Sequence, residues 1–357
     1  MPESLESAVA KPSGDGRLRV LIASWLEAEQ VERIRACAPG RIEVLYAPEL
    51  LPVPRYVADH SGTPPALDDG QRRRWLELLG AADIMFDFDW LDPAALPRTA
   101  PRLRWVQGTS AGIGQLLRRT GLVATPIAFT TASGVHAQPL AEFVLLGLLY
   151  FVRDVPMLLA LKAEHRWQRF TSRSLAGRRV LVVGLGSIGS AAVAACAGIG
   201  MEVWGTSRTA PRQAVPGLAR YLDPASWRDA LGQVDALVLA CPSTDETHHL
   251  IGAAEIARLP AHAVIVNIAR GVVVEEPALL DALRSGRLGG AALDVTYTEP
   301  LPADSPLWDL DNVLIAHHSA STVADENRRI VDIFLENLRR YLDGRQLANL
   351  FDRQRGY

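Results

Sequence analysis

At 357 residues and 38.8 kDa the chain exceeds one small disulfide-stapled module, and a scale of about 150 residues per domain sets an expectation of two lobes. Hydrophobic residues at 48%, charged residues at 22% and a mean hydropathy of +0.09 exclude the polar composition of disordered chains. With 37 basic against 40 acidic side chains, the net charge of −3 excludes a general field drawing the protein to nucleic acid or anionic lipid.

Along the chain, residues 1 to 17 carry Pro, Gly, Ser and charge without periodicity and read as a mobile tail. The acidic start MPESLESAVA lacks the order of a secretory signal. The longest apolar run, Phe143 to Val152, falls short of the roughly 20 residues of a membrane span, so no membrane partner is expected. From Leu18 onward short apolar runs at Leu18–Ala23, Ile42–Tyr46, Asp83–Phe88 and Trp105–Gln107 read as strands, with helices over 26–37 and 70–79. That alternation signals a parallel α/β sheet. The segment FTTASGVHAQ at 129–138 interrupts it with small and polar residues and is a hinge candidate before the helix PLAEFVLLGLLYFVRD. A second series follows, with strands at Arg179–Val183, Glu202–Thr206, Ala236–Ala240, Ala263–Asn267, Ala291–Asp294 and Val313–Ala316, enough for a doubly wound sheet. A last helix over 322–342 carries Ile330, Ile333, Phe334, Leu338 and Tyr341 on one stripe, suited to packing back on the first lobe.

The strongest local motif is RRVLVVGLGSIGS, an apolar strand running into Gly184-x-Gly186-x-x-Gly189 and a helix. Gly184 permits the tight turn, Gly186 lets backbone N–H groups approach a pyrophosphate, and Gly189 lets the helix pack on the sheet with its positive end toward the phosphates; Ser187 and Ile188 lie within the loop. The next strand end is where an NAD site commonly places an acid for the ribose 2′-hydroxyl. Here it reads Gly205-Thr206-Ser207-Arg208, so Ser207 leaves room for a 2′-phosphate and Arg208 supplies its cation, favouring NADP(H) with NAD(H) still possible. An ordinary solvated loop arginine stacking on adenine is the alternative for Arg208.

Cys37, Cys196 and Cys241 lie far apart without C-x-x-C spacing, and no His has a metal-ligand partner at credible spacing, so a reducing cytoplasm and no metal are expected. Only Lys11 and Lys162 are lysines, which disfavours Schiff-base and P-loop lysine chemistry.

NIARG at 267–271, LDVTYTEP at 293–300 and NVLIAHH at 312–318 each end a predicted strand, the edge of a doubly wound sheet where ligands bind. With HAQPLAEFVL, VGLGSIG and CPSTDETHHLIG, in order from Gly134 to about Ser321, the chain resembles the D-isomer-specific 2-hydroxyacid dehydrogenase family; the first 130 residues match more loosely, mainly in WVQGTSAGI. The resemblance implies an α/β protein of two Rossmann-like doubly wound parallel-sheet lobes with an interlobe active-site cleft: a substrate-binding domain of 18–130 plus 321–357 and a dinucleotide-binding domain of 131–320. It also implies an Arg, Glu and His triad, which maps onto Arg270, Glu299 and His318.

The chemistry suits each residue. A 2-oxo acid needs a fixed cation for its carboxylate and carbonyl, which the fork of Arg270 supplies. Hydride addition leaves negative charge on oxygen, so an acid with a pKa near neutrality, His318, delivers a proton, and Glu299 fixes its tautomer and favours its charged form. The family commonly has Pro before this His where the chain has His317; alignment of the strand VLIA selects His318. By the same resemblance Asp294 accepts from the nicotinamide carboxamide, with capping of the following turn as its alternative role, and Cys241, Pro242, Ile268 and Ala269 flank the cofactor. Ser110, Ala111 and Gly112 would offer backbone N–H groups to the substrate carboxylate. A homodimer through the dinucleotide lobe is implied, with the helix 139–152 as candidate contact.

These features favour reduction of a small 2-oxo acid of glyoxylate or hydroxypyruvate type. Phosphoglycerate dehydrogenase activity is a weaker expectation, because the chain ends soon after its last helix with no room for the regulatory domain many of those enzymes carry. Phosphite or formate oxidation is the other enzymatic alternative, although formate enzymes place Gln where this chain has Glu299. A dinucleotide-sensing corepressor or scaffold is the alternative of another class, opposed by the triad at Arg270, Glu299 and His318.

Overall fold

Among the residues described by the computed structural model, 16–354 and 356, twelve strands assemble into two sheets whose strand pairs all run parallel. The tail expected over 1–17 lies, except for its last two residues, outside the described residues. The chain divides into two compact units, one running to Val135 and resuming at Thr322, the other spanning His136–Ser321.

In the first unit β1 (Leu18–Ile22), β2 (Ile42–Leu45), β3 (Ile84–Phe86), β4 (Trp105–Gln107) and β5 (Ala128–Thr130) form a sheet of order β2-β1-β3-β4-β5. Alternate residues face opposite sides. Val20, Ile84 and Trp105 meet Ile330, Phe334 and Leu338 of the C-terminal helix Glu326–Leu342, whereas Leu21, Met85 and Val106 meet Trp75 and Leu79 of the helix Asp69–Ala81. Trp105 stacks on Phe334 at 5.2 Å and on Tyr341 at 5.7 Å, so aromatic packing fastens the last helix to this sheet. Two expectations change here. The strand expected through Phe88 stops at Phe86, because Asp87 takes φ 69° and turns the chain out of the sheet. Part of the expected hinge segment is β5, too short at three residues to show a period.

The second unit holds β6 (Arg179–Val183), β7 (Glu202–Thr206), β8 (Leu218–Tyr221), β9 (Ala236–Leu239), β10 (Val264–Asn267), β11 (Gly290–Leu293) and β12 (Val313–Ile315), in the order β12-β11-β10-β9-β6-β7-β8. Six strands were expected; β8 is the seventh, an edge strand whose LARY sequence carries polar and partly exposed side chains instead of an apolar run. After β6 the chain winds outward to β7 and β8, then crosses back to β9 on the other side of β6. The C-terminal ends of β6 and β9 therefore flank the topological switch point, where doubly wound sheets bind ligands.

The helix Ala137–Val152 lays Val144, Leu148 and Phe151 on one face of this sheet, and Asp154, at φ 54°, separates it from a second helix, Val155–Ala163. No single described helix is long and apolar enough to cross a membrane; these two reach that length only as a pair bent by 63°.

Candidate active site

The glycine loop sits at the switch point. Gly184 follows β6 at φ 102°, a conformation L side chains rarely adopt, and a Cβ there would lie 2.6 Å from the Cys241 backbone nitrogen. At Gly189 a Cβ would fall 1.7 Å from the Gly184 carbonyl oxygen, so the helix Ser187–Gly198 can approach β6 only with glycine there. Gly186 differs: a Cβ built on it meets no atom within 4 Å, so no protein contact demands glycine. It is the last residue before the helix Ser187–Gly198, and helix starts carry backbone N–H groups without intrahelical partners. Ser187 is exposed and Ile188 partly buried beside it.

Beyond β10, β11 and β12 the chain brings the titratable residues together. Asn267, buried at the end of β10, accepts from Ala269 N–H at 3.0 Å and donates to the Arg270 carbonyl at 3.1 Å, shaping the turn that carries Arg270. Ile268 and Ala269 are buried, and Arg270 Nη1 donates to the Ala269 carbonyl at 2.7 Å. Gly271 lets the next loop lie directly on this turn, since a Cβ would stand 1.9 Å from the Thr296 carbonyl oxygen. On that loop Glu299 Oε1 accepts from Thr296 N–H at 3.1 Å, and Oε2 lies 2.7 Å from His318 Nδ1. Asp294, buried just past β11, holds the His318 segment twice: its carbonyl accepts from His318 N–H at 2.6 Å and its Oδ1 from Ala320 N–H at 2.9 Å. Asp294 thus braces the turn beyond β12, a different turn from the one directly after it. Asn267, Gly271 and Thr296 lie within the NIARG and LDVTYTEP segments without a role assigned from sequence; an Asn closing an apolar strand before a tight turn is the one local signal among them.

The electrostatics follow the geometry. The hydrogen bond to Glu299 raises the His318 pKa above that of an ordinary histidine; burial opposes it, the Glu299 and Asp294 charges add to it, and the Arg270 cation subtracts. For Glu299, burial pushes upward, but the His318 hydrogen bond and charge, the Thr296 N–H and Arg270 together hold it below the usual carboxylate range. Burial raises the Asp294 carboxyl against the pull of the Ala320 N–H and of His318. The pair thus favours the charged form of the imidazole and the acceptor form of its carboxylate partner.

Ser207, just past β7, donates from Oγ to the Thr209 carbonyl at 2.8 Å, and its own carbonyl accepts from Tyr221 Oη at 3.0 Å; Arg208 is exposed next to it. Cys241 is buried past β9 and burial pushes its thiol up to about 11, which excludes it as a ready nucleophile. The Pro242 carbonyl accepts from Thr247 Oγ1 at 2.7 Å. In the first unit Ser110, Ala111 and Gly112 form a loop after β4, where the Gly112 N–H already donates to Ser110 Oγ at 3.2 Å. Among the described residues no group of three His, Cys, Asp or Glu could hold a metal ion.

A strand, glycine turn and helix at a switch point, with a His–Glu pair beside an arginine at neighbouring strand ends, define a nicotinamide-dinucleotide oxidoreductase. The sequence model of the D-isomer specific 2-hydroxyacid dehydrogenase NAD binding domain matches residues 145–320. A glyoxylate reductase from Aeropyrum pernix is 32% identical over 274 residues, covering 71% of this chain and 78% of the relative. Among solved structures, a D-isomer specific 2-hydroxyacid dehydrogenase from Xanthobacter autotrophicus in complex with NADPH is 31% identical with a TM-score of 0.75, over 96% of this chain and 100% of that one. An NADPH-dependent glyoxylate/hydroxypyruvate reductase from Sinorhizobium meliloti, in complex with NADP, is 26% identical with a TM-score of 0.74, again over 96% and 100%. The chain belongs to the D-isomer-specific 2-hydroxyacid dehydrogenase family and is an NAD(P)-dependent enzyme acting on the CH–OH group of donors.

Proposed function

We propose that this enzyme reduces a small 2-oxo acid of glyoxylate or hydroxypyruvate type, using NADPH in preference to NADH. The observation that carries this reading is the 2.7 Å contact of Glu299 with His318 beside Arg270, a proton donor next to a carboxylate-binding cation. Relatives named glyoxylate reductase support the substrate class. Ser207 and the exposed Arg208 at the end of β7 support a 2′-phosphate, as do the NADPH and NADP bound in two of the similar structures.

In this reading the 136–321 unit binds the dinucleotide through Gly184, Gly186, Ser187, Ile188, Gly189, Cys241, Pro242, Ile268 and Ala269, with Asp294 accepting from the carboxamide. The bound nicotinamide supplies the hydride. Arg270 holds the substrate carboxylate and polarises the carbonyl, and His318 delivers a proton from Nε2 to the oxygen as charge develops there. Glu299 holds Nδ1–H, which fixes the tautomer so that Nε2 faces the reaction. In the oxidative direction the neutral imidazole takes the hydroxyl proton.

We also propose a homodimer through the 136–321 unit, supported by exposed Leu146, Leu149, Leu158, Leu159 and Trp167 on and after its two apolar helices. Sedimentation showing only monomer would remove that assignment. A panel of 2-oxo acids assayed with NADPH and NADH tests the catalytic reading. It predicts turnover of glyoxylate or hydroxypyruvate with NADPH favoured, and turnover confined to other 2-oxo acids, or NADH used as well as NADPH, would overturn the assignment.

A further inference from the structure

The turn that carries His318 is built in an unusual way. His317 and His318 both have φ 55°, in the left-handed region, and the Ser319 N–H donates to the Ala316 carbonyl at 3.0 Å. They occupy the two central positions of a tight turn that ordinarily favours Asn and Gly. Neither imidazole relieves the clash of Cβ with the following carbonyl oxygen that this region imposes, so the surroundings must hold the turn. From one side Asp294 does so, through its carbonyl to His318 N–H at 2.6 Å and its Oδ1 to Ala320 N–H at 2.9 Å. On the other side the His317 ring stacks on Trp308, with centroids 5.6 Å apart and planes 29° from parallel, and the indole Nε1–H is anchored to the Pro302 carbonyl at 2.9 Å. Ser319 Oγ adds a bond to the His317 carbonyl at 3.2 Å. Proline, fixed near φ −65°, cannot occupy position 317 of this turn.

We propose that His317 is a positioning residue for His318: its imidazole, clamped on Trp308, locks the left-handed turn so that His318 meets Glu299 in one orientation. His317 acts through its neighbour and needs no contact with substrate. Its ring works here as a flat aromatic surface, so its own protonation is not required. The proposal rests on the reading of His318 as proton donor, but its first readout does not.

That readout is the titration of the His318 ring, followed by NMR in the unliganded full chain, where Glu299, Asp294 and Arg270 are the charged groups acting on it. His317→Ala and Trp308→Ala should each bring the His318 pKa down toward that of an ordinary histidine. Both should also lower kcat on the order of 10-fold, as expected when a reacting group is slightly misplaced, with dinucleotide binding unchanged. His317→Phe keeps the stack without a titrating ring and should restore both quantities. His317→Gly relieves the backbone strain but removes the clamp, and should behave like His317→Ala. An unshifted His318 titration in both His317→Ala and Trp308→Ala would overturn the proposal, as would full function in His317→Gly. If His318→Ala kept its activity while the His317→Ala titration shift appeared, the proton-donor reading would fail and the positioning would stand.

Discussion

Glu299 grips His318 and its own loop at once: Oε2 lies 2.7 Å from His318 Nδ1 while Oε1 accepts the Thr296 N–H at 3.1 Å. The carboxylate therefore cannot rotate away from the imidazole without breaking the loop contact. Its hydrogen bond is the leading cause of the raised His318 pKa.

Glu299→Gln removes that negative charge. The His318 pKa falls, so at any pH near neutrality a smaller fraction of the enzyme carries the proton that reduction consumes. The declining limb of the reductive kcat/KM profile should move to lower pH, and the oxidative profile should gain activity on its acidic side. Superimposable profiles for Glu299→Gln and the unmodified enzyme would dismiss the pair as a proton device.

His318→Ala removes the proposed donor itself. General acid catalysis is worth about 10²–10⁴-fold, so kcat should fall by that order. Dinucleotide affinity, measured by quenching of intrinsic fluorescence, should hold, because the glycine loop lies on β6 and the His segment beyond β12. A variant in which His317→Ala was crippled and His318→Ala nearly normal would show that the other imidazole carries the proton.

The glycine loop was legible because strand, turn and helix signals are local: the apolar run Arg179–Val183 is β6 residue for residue, and the glycines follow at once. The strand ends carrying Arg270 and His318 were legible for the same reason. What holds them was not. Thr296 to Glu299, Asp294 to Ala320 and Trp308 to His317 are contacts set by how loops fold over strand ends, and no period in the sequence announces them. Strands β5 and β8 were missed because edge strands of three or four residues need no apolar alternation. The departure at His317, visible as a residue where the family has Pro, gained meaning only once its positive φ was known.

Gly271→Ala tests one of those unannounced contacts. The added Cβ would stand 1.9 Å from the Thr296 carbonyl oxygen and 2.6 Å from the Tyr297 nitrogen, both backbone atoms that cannot swing aside. The loop bearing Glu299 must lift off the Arg270 turn. Overpacking of this kind costs about 1–3 kcal/mol, so thermal unfolding should come several degrees earlier, and kcat should drop with it. A variant as stable and active as the parent would mean that the two loops are not held together as described.

Arg208→Ala addresses cofactor choice. A charge-assisted contact to a 2′-phosphate is worth about 1.5–3 kcal/mol, so its loss should reduce the proposed NADPH over NADH preference by about 10–100-fold, chiefly through KM for NADPH. Because NADH lacks the phosphate, its kinetics should barely move. Equal efficiency with both cofactors in the unmodified enzyme would remove the basis for assigning Ser207 and Arg208 to this role.

Arg270→Lys separates charge from shape. The guanidinium already spends Nη1 on the Ala269 carbonyl at 2.7 Å, and in the proposed role its remaining donors hold the substrate. A lysine ammonium keeps the positive charge but is a single point on a flexible stem: it cannot keep that anchor while offering two parallel bonds to a carboxylate. The ground state then loses its bidentate hold, raising KM, and the carbonyl loses a polarising group whose grip strengthens as charge develops on oxygen, lowering kcat. Both changes should appear together for every 2-oxo acid the enzyme accepts, while the dinucleotide KM stays near its original value. If KM for the oxo acid were unchanged in Arg270→Lys, the carboxylate would have to be bound elsewhere, and the role of Arg270 would shrink to tuning His318, whose pKa its charge depresses.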